Sequence, residues 1–574
     1  LSVAALAAAL VAGAAWLLQP GAPPRIANVR PLGIDVGEFV RPRWPTWTTD
    51  GVRLYYVARK GDRFVLYNVA LAGGEPSEIP TPFGLGLELY GYLHGRSSLV
   101  ALGRSPGEPP LETGVWLIPV PQGSPRRLGD GNANAIAVSP DEERLALTIF
   151  EPPRGARIMF LRLDDPDAPP YAELRLPECG ARSWHFRASW SPDGDRFRFS
   201  APGPVGHEDE IWLWETSDAA ETPKPLWPGD GGVWLTDRSH FVSERARRVD
   251  SRPRSDLFVV GGGSWSPWSE PVVTWLTSGP VSFTEVGLNP DGTGLLAFGE
   301  VRRGELQRFD RKERRFEPAL EGESVGFVEY SRDGEWVAWV TYPEETLWRG
   351  RSDGTERLQL TRPPDRAVNP AWSPDGSQIA YVSVSDRGRR SLCLASVDEG
   401  RIEVVEKQEG FPYSHPCWLS NGTLLFSSRS IFRLGLHRLD PSGGTTTPLE
   451  GADDLLFPSC GPQGQVVAGR LRGDDLVTVV RWAGDDDWEE VGAFLAYSTW
   501  TRDGQAFCGI DNRATRIECY SARRRGWETL VEIDRPLVSW WASVPWMGLD
   551  AEDNPLVMFD RSTRDLCALE WEAP

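Results

Sequence analysis

The sequence predicts an all-β chain: tandem β-propellers of about twelve four-stranded blades, divided six and six, behind one N-terminal transmembrane helix. Three observations carry this. A turn returns at a near-constant interval, as Asn289-Pro290-Asp291-Gly292, Ser331-Arg332-Asp333-Gly334, Ser373-Pro374-Asp375-Gly376, Asn421-Gly422, Gly461-Pro462-Gln463-Gly464 and Thr501-Arg502-Asp503-Gly504; its closing glycines step by 42, 42, 46, 42 and 40 residues. Apolar runs come after the turns, as in Trp336 to Val340, Ile379 to Val382 and Leu424 to Phe426, the pattern of strands covered on both faces. Leu1 to Leu18 is almost entirely Ala, Leu and Val. A four-stranded unit cannot bury its faces alone, so such a period implies blades stacked around an axis.

In chain order, residues 1–20 form the expected membrane helix, since eighteen residues just reach across a bilayer, with Trp16 as interfacial anchor. A cleaved signal peptide with Ala12-Gly13-Ala14 as its site is the rival. Both readings place the rest of the chain outside the cytoplasm. Residues 21–40, with Pro23, Pro24 and Pro31, read as an extended linker. Residues 41–324 form the expected first propeller, with turns at Thr48-Thr49-Asp50-Gly51, His94-Gly95, Ser139-Pro140-Asp141-Glu142, Ser191-Pro192-Asp193-Gly194 and Thr236-Asp237-Arg238-Ser239. Residues 325–574 form the second, with third strands such as Leu347 to Arg351, Ser391 to Ser396 and Ile517 to Ser521, and a degenerate last unit around Asp550 to Trp571. Glu305 to Phe309 reads as the third strand of the blade begun at Asn289. A five-plus-seven division breaking near Gly279 is the alternative.

Composition narrows the function. A formal charge of −20 opposes binding to a phosphate backbone, so no nucleic-acid contact by this chain is expected. The basic run Arg245 to Arg254 reads as a solvated hairpin. The seven cysteines have no CxxC spacing that would suggest zinc; most read as small buried hydrophobes, and Cys508 and Cys519 fall on neighbouring strands where an oxidising compartment permits a disulfide.

Enzymatic signatures are weak. Gly103-Arg104-Ser105-Pro106-Gly107 matches a nucleophile elbow in letters, but Pro106 has no N–H for an oxyanion hole. The six histidines are dispersed without HExxH. His207-Glu208-Asp209-Glu210 reads as a solvated loop; Asp130, Asn132, Asn134 and Asp141 have calcium-loop spacing, but Ala135 stands where the loop needs glycine. No catalytic residue, cofactor or metal is therefore expected. The turn aspartates Asp291, Asp333, Asp375 and Asp503 read as caps of nearby backbone N–H groups. Trp265, Trp268, Trp540, Trp541 and Trp546 are the candidate binding residues, because clustered aromatics near loops mark recognition surfaces; packing between blades or rings is the competing role.

The stretch Thr346-Leu347-Trp348-Arg349-Gly350-Arg351-Ser352-Asp353-Gly354-Thr355-Glu356-Arg357-Leu358-Gln359-Leu360-Thr361, with Pro370-Ala371-Trp372-Ser373-Pro374-Asp375-Gly376 and the end Ala568-Leu569-Glu570-Trp571-Glu572-Ala573-Pro574, resembles the TolB-type, WD40-like repeats of acidobacterial membrane proteins. The resemblance covers most of the chain after residue 40 and is specific in the second half. It implies an extracytoplasmic module on a single span, often behind a winged-helix DNA-binding domain of the CadC or ToxR-like kind and sometimes a Ser/Thr kinase. Any such role would belong to residues ahead of Leu1. The expectation is a non-catalytic, membrane-anchored sensor in the bacterial periplasm or outside the cell, tethered through residues 1–18, with an envelope protein, peptide or small ligand as partner. The alternatives are the propeller part of a hydrolase or peptidase system, and a TolB-like envelope scaffold.

Overall fold

The computed structural model describes residues 24–34 and 47–572, except 61–62, 84–85, 105–113, 129–132, 152–154, 167, 177–186, 205–210, 218–220, 238–239, 250–251, 262–272, 364, 386–389, 407–412, 431–432, 442, 444, 473–474, 512 and 539–544. Among these it holds twelve four-stranded sheets. The chain divides into two compact units: Leu1–Arg247, Arg254–Val301 and Arg564–Pro574 form one, and Arg248–Pro253 with Arg302–Thr563 the other. Each takes six of the sheets and is called a ring below.

In the second ring the innermost strands are Val325–Tyr330, Arg366–Trp372, Tyr413–Trp418, Leu455–Cys460, Leu495–Trp500 and Met547–Leu549. Each packs on the next and the last packs on the first, so the ring is closed. The first ring runs through inner strands Trp47–Thr49, Leu87–Leu93, Ala135–Val138, Ala188–Trp190, Asp230–Trp234 and Ser282–Leu288. It is joined end to start by Trp47, whose indole N–H donates to the Glu285 carbonyl at 3.0 Å. Six blades per ring match the six-plus-six expectation, but the boundary differs from residue 324.

The reason lies in the sixth blades, each built from two chain segments. After Ser282–Leu288 and Gly294–Val301 the chain leaves the first ring, and Gly304–Asp310 and Arg315–Pro318 become the third and outer strands of the second ring's last blade, beside Pro555–Asp560 and Met547–Leu549. The third strand expected over Glu305 to Phe309 exists, in the other ring. Its place in the first ring is taken by Thr563–Trp571, and the outer strand is Ile26–Pro31. Residues 26–31 are therefore ladder, not linker: Ile26 pairs with Trp571 and Val29 with Leu569, while Pro31 sits at a strand end on the sheet edge, where a missing N–H is tolerated. The degenerate unit at Asp550 to Trp571 is likewise divided between the rings. Leu1 to Leu18 and residues 35–40 lie outside the described residues; among the described residues no helix is long and apolar enough to cross a membrane.

Burial between blades supplies the core. In the second ring Val337, Ala338, Val340, Ile379, Ala380, Val382 and Leu424 are fully buried, the apolar runs read from the sequence. Tryptophans just ahead of the turns tie neighbouring blades, the indoles of Trp372, Trp418 and Trp500 donating to the carbonyls of Glu329, Ala371 and Ser459 at 2.9, 3.0 and 3.1 Å. Much of the tryptophan content thus serves blade packing through an apolar body with one polar handle.

The turn aspartates do what their position predicts. Asp333 and Asp375 accept from the hydroxyls of Ser331 and Ser373 at 2.6 Å and from the backbone of Glu335 and Ser377. Hydroxyl and backbone hydrogen bonds hold the carboxyls of Asp333, Asp375, Asp503 and Asp291 below their ordinary range. A carboxyl with a depressed folded-state pKa contributes stability above its unfolded value, near 3.9, that is lost as pH falls through the folded value. Acid titration of the melting temperature should therefore be level above about pH 5 and fall below the carboxylate range; replacing these four aspartates with asparagine should flatten that fall, and an unchanged acid limb would show that these turns carry no pH-linked stability.

Two disulfides are present among the described residues. Cys508 and Cys519 lie directly opposite on adjacent strands and are bonded. Cys417 and Cys460, 43 residues apart, join the inner strands of two successive blades. Cys393 and Cys567 are buried and take no part in these disulfides.

Candidate functional site

The candidate site is the axial cavity of the second ring, of about 310 Å³, which all six inner strands line. Its shape comes from the repeat. Counting back seven residues from each turn residue at Gly334, Gly376, Gly422, Gly464, Gly504 and Asp553 gives Phe327, Asn369, His415, Phe457, Tyr497 and Trp546. The first five have φ of 48, 51, 53, 57 and 49°, in the left-handed region, and the register of each inner strand slips there. Each is a β-bulge, a device that re-aims a side chain, and a non-glycine residue in this conformation costs about 1–2 kcal/mol. Glu285 of the first ring, seven before Gly292, has φ 57°. The bulge thus belongs to the repeat, and the residue placed on it decides what each ring does with its axis.

In the second ring that layer is aromatic at five of its six positions, with Asn369 at the other. Phe327 meets Tyr497 at 5.9 Å and Trp546 at 6.2 Å between ring centroids, and His415 meets Phe457 and Tyr497 at 5.0 Å each. Phe327 and Tyr497 belong to blades on either side of the Trp546 blade, so the side chains converge on the axis and form a floor. Burial holds His415 neutral, its pKa pulled down to about 3 with a smaller push from Arg390, and its buried Nδ1 has no hydrogen-bond partner.

Two residues further along stand Glu329, Ala371, Cys417, Ser459, Thr499 and Gly548. Five of these are small, and the space they leave is the cavity. A Cβ on Gly548 would stand 2.5 Å from the Trp546 ring and 3.0 Å from the Val328 carbonyl, so glycine is what lets that strand approach the floor. Glu329 is the one ionisable side chain of this layer; burial raises its pKa to about 8, opposed by a hydrogen bond from the Trp372 backbone. At the turn end Arg332 donates to the Pro462 carbonyl at 3.2 Å, and Arg502 to the Arg332 and Ser331 carbonyls at 2.9 and 3.2 Å, which fixes the rim.

The first ring places charge at two of the same repeat positions, Arg187 and Glu285. Arg187, seven before Gly194, pairs with Glu244 at 2.8 Å with both side chains largely buried, and the Glu285 N–H donates to Glu244 at 2.8 Å. Burial disfavours the Arg187 charge, but Glu244, Asp230 and Glu285 outweigh it and keep the guanidinium protonated. Such a cluster specifies packing more than it offers a ligand an opening.

Of the predicted binding residues, Trp546 is buried in the cavity floor. Trp265, Trp268, Trp540 and Trp541 lie outside the described residues, as do Ser105 to Gly107, His207 to Glu210, Asp130 and Asn132. Asn134 and Asp141 are described, with Asp141 bonded to Ser139 in its turn, and among the described residues no group of three His, Cys, Asp or Glu is placed to hold a metal. The sequence reading missed Phe327, His415, Phe457, Tyr497 and Glu329. The signal was there as a column: an aromatic residue at a fixed offset before five of the six turn residues, Asn369 standing before the other.

No protein-family model matches the chain. Over 53 residues it is 42% identical to the Tol-Pal system protein TolB of Sodalis glossinidius (strain morsitans), a match covering 9% of this chain and 12% of that protein. Over 206 residues it is 25% identical to the uncharacterised peptidase YuxL of Bacillus subtilis (strain 168), covering 33% of this chain and 28% of that one. Among solved structures, TolB from Acinetobacter baumannii aligns over 51% of this chain and 80% of its own with 16% identity and a TM-score of 0.31. The chain thus spans about an eighth of that Sodalis relative and just over a quarter of the peptidase. TolB-like propeller repeats are common ground with the sequence reading; a membrane-bound winged-helix regulator is not among these relatives.

Proposed function

We propose that the protein is a non-catalytic recognition module of the bacterial envelope whose ligand enters the second-ring cavity from the turn end. One observation carries this reading: five bulges in unfavourable backbone conformation aim side chains at the axis and build a floored cavity whose size suits a small ligand or a ligand's head group. The hydroxyls of Ser331, Ser373 and Thr501 at its mouth are engaged by turn aspartates rather than by a base, which favours binding over acyl transfer. Two disulfides fit an oxidising compartment. On the finer reading, residues 1–18 tether the module and it serves as the sensor of a transmembrane regulator.

Ser459→Phe places a ring in the cavity wall, where the native side chain is small. A thermal-shift screen of small amines, sugars and short peptides should find compounds that raise the wild-type melting temperature by a few degrees at about 100 times their Kd and leave S459F unmoved. If every hit shifts both proteins equally, the cavity is not the site. The peptidase match favours one second reading, a propeller acting in a hydrolase system; covalent labelling of a single serine by a fluorophosphonate probe would establish it in place of the first.

A further inference from the structure

Resting on that reading, we propose that the second-ring cavity binds an organic ammonium group, with the aromatic floor receiving the charged head and Glu329 as its counter-ion. The floor presents Phe327, Phe457, Tyr497 and Trp546, and ring faces attract ammonium ions through their quadrupoles, more strongly where water is excluded. A protonated histidine would spoil such a floor, but His415 is kept neutral by its burial.

Glu329 supplies the countercharge. It is alone among small neighbours, the Trp372 backbone opposes the rise in its pKa, and among the described residues no arginine or lysine forms an ion pair with it. A buried carboxyl left without a cation is costly while ionised, so the empty site favours the protonated acid and a bound cation favours the carboxylate. The six turns around the mouth carry Asp333, Asp375, Asp503, Asp550, Glu552 and Asp553 against Arg332 and Arg502, and the whole chain is acidic, both of which draw cations towards the opening.

Glu329 also gives the site a pH dependence. The ionisable groups facing it inside the cavity are Tyr330, pushed up to about 12 by burial, Tyr497, raised by burial, and neutral His415; none changes charge between pH 6 and 9. At the mouth, hydrogen bonds within their turns hold the carboxyls of Asp333, Asp375 and Asp503 below their ordinary range, whereas burial raises that of Asp553. Binding a cation near neutral pH therefore expels one proton from Glu329, and affinity rises with pH up to about 8, the folded value, then levels.

The test is calorimetric titration of the full chain with choline and with 3,3-dimethylbutan-1-ol, which has the same shape and no charge. Choline should bind at least about ten times more tightly than the alcohol at pH 8.5 and lose more than about tenfold on going to pH 6.5. In Glu329→Gln the pH dependence should vanish and the preference for choline over the alcohol should shrink to what the aromatic floor supplies; Phe457→Leu, which keeps Glu329, should weaken choline and keep its pH dependence. Nα-acetyl-lysinamide as a competitor tells a lysine side chain from a free quaternary amine as the source of the head group. Equal affinity for choline and the alcohol, pH-independent choline binding, or no choline binding at 10 mM-scale concentration (about a thousandfold above a tight site's Kd) would each overturn the cation assignment. The recognition reading itself would still stand if another ligand bound wild type and not S459F, and would fail if S459F changed no binding at all.

Discussion

Deleting residues 564–574 unfolds the first ring and leaves the second intact. These residues form most of the strand Thr563–Trp571, inserted between Gly294–Val301 and Ile26–Pro31. Leu566 and Leu569 are fully buried there, with Cys567 and Ala568 nearly so. Burying two leucines contributes about 3–6 kcal/mol, and the deletion also leaves Ile26–Pro31 without a partner and bares one edge of Gly294–Val301. A domain with a net stability of about 5–15 kcal/mol does not survive that combined loss. The neighbour cannot close the gap: a Cβ on Gly294 would stand 2.0 Å from the Leu569 carbonyl, so the site is shaped around this strand at backbone distance. Limited proteolysis should cut the deleted protein within residues 24–301 while 302–563 resists, and Leu569→Asp should reproduce the pattern. Equal resistance of both rings would show that the C-terminal strand is dispensable.

Replacing Cys417 and Cys460 together with serine lowers the stability of the second ring by about 2–4 kcal/mol, more than replacing Cys508 and Cys519. The loop-closure model makes the cost depend on the length bridged, giving about 4 kcal/mol for the longer loop and about 3 kcal/mol for the shorter; the separations are 43 and 11 residues. The two bonds also differ in kind. Cys508–Cys519 links strands that already pair in register within one blade, whereas Cys417–Cys460 links two blades. Denaturant melts of the two double mutants, followed by tryptophan fluorescence, should show the larger loss for C417S/C460S, and non-reducing peptide mapping should recover both pairs. Equal melts would mean that the inter-blade bond adds no constraint beyond blade packing.

The placement of Glu329 shows why a site of this kind is hard to read from sequence. As a letter it is one of 81 acidic residues, in a strand whose neighbours are apolar. Only when six inner strands converge does it become the single ionisable group of a layer that is otherwise Ala, Cys, Ser, Thr and Gly. Trp546 was legible because aromatic clusters near loops attract attention; Phe327, Phe457 and Tyr497 were not, because each is an ordinary strand aromatic until the bulge turns it to the axis. Cys417 and Cys460 were missed for the same reason, since their separation of about one repeat means adjacency only when blades are laid side by side.

What the sequence determined by itself is whatever repeats locally. The turn chemistry of Asp and Gly, the apolar runs that need cover on both faces, and the count of blades all come from spacing and residue type, because each is settled within one blade-length of chain. Closure and the site were decided by the tertiary structure. Thr563–Trp571 and Ile26–Pro31 meet across more than five hundred residues, and Glu305 to Phe309 serves a different ring from the turn that precedes it, because a ring must pair its last blade with whichever segment can complete four strands. The axial cavity arises in the same way: its residues share no local signal beyond their offset from a turn, and only closing six blades brings them within reach of one ligand.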